Sequence, residues 1–447
     1  MPIEAGRRAR ALAEFTARLR ALRAKGFSDP REVEAFRRRA RAAKLEYLSR
    51  PGYWLGRLAE RVEAAGGRVH FADDAGEANR IVLDICRRAG AGQVVKGKSM
   101  TCEEMELNPV LEAAGIQVSE TDLGEFIVQL AGEPPFHILG PAMHKTRQEI
   151  AELFSRHFEP VDPEPAALTR LARKVLRRRF LSARVGITGV NAAACDTGTI
   201  AVITNEGNGR FCSTLPPVHI AVMGLEKAVP TLSDLALIST LLPRASLGWP
   251  LSAYVSWISG PAGRSAGAGP REFHLVILDN GRSRILEGPY WEILLCLRCA
   301  SCLNHCPVYT TCGGPNYGWV YSGPMGAVLT PLLRGREHDH LAHASTLCGR
   351  CRQMCPMGID LPGMLLRRRQ EPGGAFKYLL PRLGAEILSR RGLFETACRL
   401  ARPAAAALER LPREALPPGP WRAWRMGRRL PRVPRERAVK PEGGEES

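Results

Sequence analysis

The sequence predicts an α/β amino-terminal domain, a small cysteine-rich helical domain after it, and a basic tail. Three observations carry this. From Tyr53 onward, helical and strand patterns alternate at the spacing of βαβ units. Eight of the thirteen cysteines fall between Cys296 and Cys355. Beyond Pro372 the chain is basic, then Pro-rich, and it ends in polar residues. The divisions expected are 1–50, 51–285, 286–372 and 373–447.

Residues 1–50 are dominated by Ala, Leu and Arg and read as helix, with Asp29-Pro30 opening a second helix by the preference for Pro in the first turn. Helix Leu55–Ala65 stops at Gly66-Gly67, and strand Arg68–Phe71 follows. Helix Ala75–Ala89, strand Gln93–Lys96, helix Cys102–Ala114 and strand Ile116–Ser119 continue the alternation, each helix closing on a glycine. Thr146–Phe158 and Glu164–Phe180 read as helices. From Arg184 to Ile285 short β-branched runs (Val185–Gly189, Thr199–Thr204, Val218–Met223, Phe273–Leu278) give the segment strand character.

The length of 447 residues fits two or three domains, and 45% apolar with 24% charged residues is ordinary globular composition. The net charge of +18 points to an anionic partner, although only nine of the 63 basic residues are Lys and heavy Arg use also follows from a GC-rich genome. No nucleic-acid motif accompanies the charge, so no nucleic-acid partner is expected. The longest apolar region, Leu235–Ile258, is broken by Pro243, Arg244 and Pro250, and no spanning helix is expected. The charged first residues do not read as a secretory signal. A cytoplasmic protein with reduced thiols follows, peripheral membrane contact remaining open.

Cys296, Cys299, Cys302, Cys306 and Pro307 form C-x2-C-x2-C-x3-C-P. Forty-one residues separate Cys306 from Cys348, which opens C-x2-C-x3-C-P with Cys351 and Cys355. Three thiolates at two-residue gaps on one loop reach three irons of one cubane, and the fourth points to the other cluster. Zinc takes four ligands and leaves these cysteines in surplus. Two [4Fe–4S] clusters are therefore expected. By the crossed pattern, Cys296, Cys299, Cys302 and Cys355 serve cluster 1, and Cys306, Cys348 and Cys351 serve cluster 2. The fourth ligand of cluster 2 stays open among Ser345, Cys312, His338, His340, His343 and an exogenous group. Arg298, Arg350 and Arg352 inside the loops read equally as surface charge or as cations that raise cluster potential. Two clusters form a one-electron wire and do not make this chain the catalyst.

Other constellations are weaker. Val95–Ser99 lacks the spacing of a phosphate loop and reads as a strand end turning into a helix. Gly189–Thr199 with Thr204–Asn208 offers either a polar site at strand ends or ordinary hairpin turns. His219 reads as a buried, satisfied histidine, and Cys86, Cys102, Cys195, Cys212 and Cys398 as isolated thiols. No G-x-G-x-x-G opens a βαβ unit and no C-C-G signature occurs. Catalytic residues are unassigned. Glu206 is the best candidate for a rival CoA-transferase or isomerase reading; the other rival is an electron-transfer subunit for another 2-hydroxyacid or glycerol-phosphate dehydrogenase.

The segments VVKGKSM (Val94–Met100), CDTGTIAVITNEGN (Cys195–Asn208), TLPPVHIAVMGLEKAVPTL (Thr214–Leu232) and YGWVYSGPMGAVLTP (Tyr317–Pro331) resemble the lactate utilization protein B family from about residue 50 to 375. The resemblance implies an α/β domain like the isomerase/CoA-transferase fold, then a helical ferredoxin-type domain with two [4Fe–4S] clusters. It implies the same two cysteine sets, with three cysteines for the second cluster. It also implies two partner proteins in a system oxidising L-lactate to pyruvate, the electron acceptor being unassigned. Cys312 and Cys195 depart from the family pattern.

Overall fold

The structure is a computed structural model, and it describes residues 2–262, 269–371 and 376–410. The chain divides into two units, Met1–Gln370 and Glu371–Ser447. The first unit holds two sheets. Strands β1 (Arg68–Ala72), β2 (Gln93–Lys96), β3 (Gln117–Glu120), β4 (Val185–Gly189), β7 (Val218–Gly224) and β10 (Glu272–Leu278) form a six-stranded sheet in the order β1-β10-β7-β4-β2-β3. Every pairing in it is parallel. Its central strands are buried from end to end, as parallel strands covered on both faces must be. Strands β5 (Ala192–Ala194), β6 (Thr199–Thr204), β8 (Ala228–Val229) and β9 (Tyr254–Ile258) form a small mixed sheet in the order β8-β5-β6-β9.

The crossovers show why the chain folds this way locally. Helix Ala75–Arg88 starts where the Asp74 carboxylate accepts from Glu77 N at 2.8 Å, and Ala78, Val82 and Ile85 bury one face on the sheet. The expected helix Cys102–Ala114 is two pieces, Met100–Glu104 and Leu107–Ala113, because Glu106 takes a left-handed φ of 54° and turns the chain between them. The largest departure from the sequence reading lies between Arg184 and Ile285. Amid the strands stands a 16-residue helix, Leu232–Leu247. A capping box between Thr231 and Asp234 starts it, Leu235, Ile238, Leu242 and Ala245 bury its face, and Gly248 closes it at φ 73°. In the sequence this apolar stretch reads as a broken membrane-span candidate inside a region of strand character; among the described residues no helix is long and apolar enough to cross a membrane.

One apolar cluster runs from the small sheet and this helix into the cysteine-rich segment, through Ala193, Ile200, Leu241, Leu295, Met325 and Leu365. The amino-terminal helices Pro2–Gly26 and Pro30–Ser49 belong to the same unit, and Leu12, Ala40 and Tyr47 join that cluster. The Arg367–Arg369 run ends helix Leu361–Gln370 in the first unit. Arg368 pairs with Asp339 at 2.7 Å, Arg369 donates to Ala342 O and Ser345 O, and Arg367 donates to Pro289 O. Through these bonds the arginines tie down the cysteine-rich segment. In the second unit, helices Phe376–Ser389 and Arg391–Arg410 are described, with Leu388, Leu393, Phe394 and Leu400 exposed. Pro417, where the Pro-rich stretch begins, and the segment WRAWRMGRR from Trp421, whose adjacent Trp and Arg could dock to a membrane interface or an acidic partner, lie outside the described residues.

Candidate cysteine centre and adjoining cavity

The two cysteine loops share one backbone pattern. In the first, Arg298 and Ala300 flank Cys299 at φ 61° and 63°. In the second, Leu347 and Gly349 flank Cys348 at φ 54° and 80°. Left-handed residues this close turn successive backbone N–H groups inward, a geometry suited to anions. The match extends further. Arg298 N donates to Cys296 Sγ at 3.4 Å, and Leu347 N donates to Ser345 Oγ at 3.1 Å. Ser345 therefore holds in the second loop the place that Cys296 holds in the first.

Cys296, Cys299, Cys302 and Cys355 line one small cavity walled by Leu303, Met325, Met357, Ile359 and Leu361. Burial and the neighbouring charges of Cys299 and Cys296 push the Cys355 thiol up to about 12. Burial raises Cys302 as well, and Cys296, Cys299, Cys355 and Cys351 add to it. Thiols so crowded are poor company for one another as anions unless iron shares their charge, and four soft donors around a dry cavity suit a cubane cluster. Burial, with the charges of Cys306 and Cys348, pushes Cys351 up to about 11. Cys348 is exposed, and the Arg350 backbone N–H lowers its pKa.

The open fourth position sorts as follows. Cys312 sits near Cys306, but its thiol points to Gly313 O at 3.7 Å. His338 and His340 face each other, and both turn to Glu337. His343 is exposed. Of the loop arginines, Arg350 and Arg352 are on the surface, bonded to Gln353 and Asp360. Arg298 is buried.

Two arrangements escaped the sequence reading. The first is the use of the amino-terminal arginines. Arg23 donates to Met354 O at 2.9 Å, Arg37 to Cys355 O at 3.1 Å, Arg41 to Met357 O at 3.0 Å and Arg20 to Asn304 O at 2.9 Å. Part of the positive charge thus serves as internal clamps on the cysteine loops. The second is a buried ionic chain. Arg282 grips Glu104 with two bonds of 2.6 and 2.8 Å, and its Nε reaches Glu226 at 2.6 Å. Glu226 continues to Arg298 at 3.4 Å, and Lys44 caps its carbonyl. Tyr321 donates to Glu104 at 2.5 Å, and the Arg298 guanidinium lies over its ring at 4.8 Å. Burial works against the Glu226 carboxylate, yet Arg282, Arg298, Lys227 and Lys44 together hold it down at about 2. The only sequence signal was a set of charged residues interrupting apolar runs.

A larger cavity of about 340 Å³ opens at the carboxyl ends of β2 and β4, where open α/β sheets place ligands. Gly97–Thr101, Gly189, Asn191, Thr204–Glu206 and Asn208 line it, so the two segments singled out in the sequence meet there. A side chain at Gly189 would place its Cβ 2.6 Å from Ser99 Oγ, so that approach needs glycine. Lys96 ends β2 in a buried pair with Glu120 at 2.7 Å, and no phosphate loop forms. Lys98 pairs with Asp122 at 3.6 Å, and Leu123 N donates to Glu206 at 3.0 Å. Burial and Asp122 raise the Glu206 pKa. Lys227, Arg298, Cys299 and Tyr321 line it as well. His219 is buried as expected but only half satisfied: Nε2 bonds to Thr188 at 2.8 Å, and Nδ1 has no hydrogen-bond partner. Cys86, Cys102, Cys195 and Cys212 are buried thiols raised by burial.

Residues 55–278 match the LUD domain family, and residues 292–359 match the 4Fe-4S dicluster domain. "Lactate utilization protein B" of Bacillus velezensis is 45% identical over 79% of this chain and 75% of its own. The "Uncharacterized electron transport protein YkgF" of Escherichia coli is 43% identical over 81% of this chain and 76% of its own. A solved duf162 family protein from Deinococcus radiodurans covers 51% of this chain and 98% of its own, with 14% identity and a TM-score of 0.30. On these matches, a LUD domain with a parallel α/β core followed by an iron–sulfur domain, the chain belongs to the lactate utilization protein B family.

Proposed function

We propose that this chain is the iron–sulfur electron-transfer component of a complex that oxidises L-lactate to pyruvate. The observation that carries the proposal is the cavity walled by Cys296, Cys299, Cys302 and Cys355, in a chain whose relatives are named for lactate utilization and electron transport. In this reading Cys296, Cys299, Cys302 and Cys355 hold one [4Fe–4S] cluster, and Cys306, Cys348 and Cys351 hold a second. Bound clusters supply one-electron transfer. The chain's own residues keep water from cluster 1 with Leu303, Met325 and Ile359, and donate Arg298 N–H to the Cys296 sulfur. The amino-terminal arginines fix the second loop against the first. Two further proteins of the lactate system act as partners, one of them taking the electrons from lactate; the chain works in the cytoplasm, where thiolates persist. The kinship of the α/β domain with the isomerase/CoA-transferase fold is part of this proposal, supported by the parallel sheet and the cavity at its carboxyl ends.

The test is anaerobic purification with iron and sulfide analysis, then EPR during lactate addition with and without the partner proteins. Iron and sulfide near eight each, on the basis of two cubanes, and cluster reduction only with the partners, support the reading. Bound zinc without absorbance near 400 nm overturns it. A second reading, acyl-group transfer by Glu206, rests on that carboxylate lining the cavity; turnover of acyl-CoA donors by the purified single chain would favour it.

A further inference from the structure

We infer that the 340 Å³ cavity, lined by residues of the LUD domain and of the cysteine-rich segment, is a binding site for a small carboxylate, its anionic group held by Arg298 and Lys227. The inference rests on the electron-transfer reading and adds a ligand site to it. Three observations support it.

First, Arg298 is 8% exposed, yet its Nε and Nη1 have no hydrogen-bond partner. Its Nη2 reaches Glu226 at 3.4 Å, a long contact for an ion pair, the guanidinium also interacts with Cys296, and it lies over the Tyr321 ring. Unused guanidinium donors inside a protein carry a desolvation cost that an anion removes. Second, both cations and carboxylates line the cavity, and the carboxylates are already engaged: Asp122 stands beside Lys98 at 3.6 Å and Glu206 accepts from Leu123 N–H at 3.0 Å, which leaves Lys227 and Arg298 as the lining cations for an anionic group. Third, Cys299 lines both this cavity and the small cysteine-walled one, so a ligand seated here touches the residue proposed to hold cluster 1. No electron or proton transfer to the ligand is part of the inference.

Arg298 is a poor residue to replace, because its backbone N–H bonds to Cys296 and its side chain closes the ionic chain. Lys227 is the cleaner choice: it follows Glu226 in the chain and faces the cavity without lying in a cysteine loop. The probes are L-lactate, pyruvate and inorganic phosphate, each offered to anaerobic full-length holoprotein without partners. Two readouts are taken: equilibrium dialysis with labelled probe, and the EPR line shape of the dithionite-reduced protein. The expected result is saturable binding of lactate or pyruvate, a line-shape change in the component lost in Cys299→Ala, and at least tenfold weaker binding in Lys227→Met. Lys174→Met, at a surface residue paired with Glu159 and outside the cavity lining, gives a second variant, expected to bind within about threefold of wild type. If iron content and reduction are normal but neither acid binds, the site fails while the electron-transfer reading stands. If iron is absent, it is the electron-transfer reading that has failed. Phosphate binding as tight as that of the acids, or Lys227→Met binding like wild type, overturns the inference.

Discussion

Glu226→Gln removes one charge from the centre of the buried ionic chain and keeps the shape of the side chain. Glu226, Arg282 and Glu104 are almost fully buried, with side-chain exposures of 1%, 1% and 0%. The variant leaves Arg282 half-compensated by Glu104 and leaves Arg298 without its acid. Breaking a buried pair by neutralising one member costs about 3–5 kcal/mol, because the remaining charge keeps its desolvation penalty. The carboxylate gives the same order independently: it is held at about 2 against an ordinary 4.5, and at about 1.4 kcal/mol per pH unit that difference is roughly 3 kcal/mol. The sign follows from the depressed pKa. The contribution is complete above the unfolded value near 4.5 and fades as pH falls toward 2. The assay is anaerobic urea unfolding of wild type and variant at equal iron content, at pH 7 and again below pH 4.5. A loss of about 3 kcal/mol or more at neutral pH, narrowing in acid, is expected. A loss under about 1 kcal/mol, or one that widens in acid, refutes the claim that this chain of charges is a tightly paired unit.

Other expectations follow from the cysteine loops and the second unit. Cys299→Ala and Cys351→Ala each remove one EPR component and largely spare the other, since the crossed assignment gives them to different clusters; loss of neither contradicts it. Brief air exposure yields a [3Fe–4S]-type signal that Cys351→Ala abolishes and Cys299→Ala keeps, because three thiolates leave one iron weakly held. Ser345→Cys, which restores sulfur at the position equivalent to Cys296, suppresses that signal; an undiminished signal shows that Ser345 does not face the labile iron. Cys312→Ser leaves cluster 2 intact if the thiol keeps the direction seen here, and destroys it if Cys312 is the fourth ligand. Truncation at Pro417 lowers membrane sedimentation or complex assembly if the Trp-Arg segment docks there, and unchanged behaviour of both rejects docking.

Much of the site was legible because its grammar is local. Cysteines two residues apart can share a loop regardless of the rest of the fold, and the loops indeed place Cys296, Cys299 and Cys302 around one cavity. The serine three residues before Cys348 was visible as a gap in the repeat, and the backbone shows that the gap is filled in register. Strand β2 was read to the residue, since apolar residues bounded by glycines are a local signal. Helix Leu232–Leu247 was lost because its apolar run was weighed against a membrane and against strands, while its capping box went unread.

What tertiary structure alone decided concerns groups far apart in the chain. The arginines of residues 20–41 looked like genome bias or a surface for an anionic partner; folding brings several of them onto the carbonyls of residues 304 and 354–357, where a long, always-charged donor can satisfy loop backbone that has no ladder to join. Glu104, Glu226, Arg282 and Arg298 carry no motif, and each alone would be too costly to bury; only the fold supplies the opposite charge that makes burial tolerable. The 340 Å³ cavity is likewise a property of the assembly, built from the ends of strands distant in sequence and closed by Cys299. Spacing along a chain determines which cysteines can act together, whereas the lining of a cavity and the pairing of buried charges depend on which surfaces the core brings face to face.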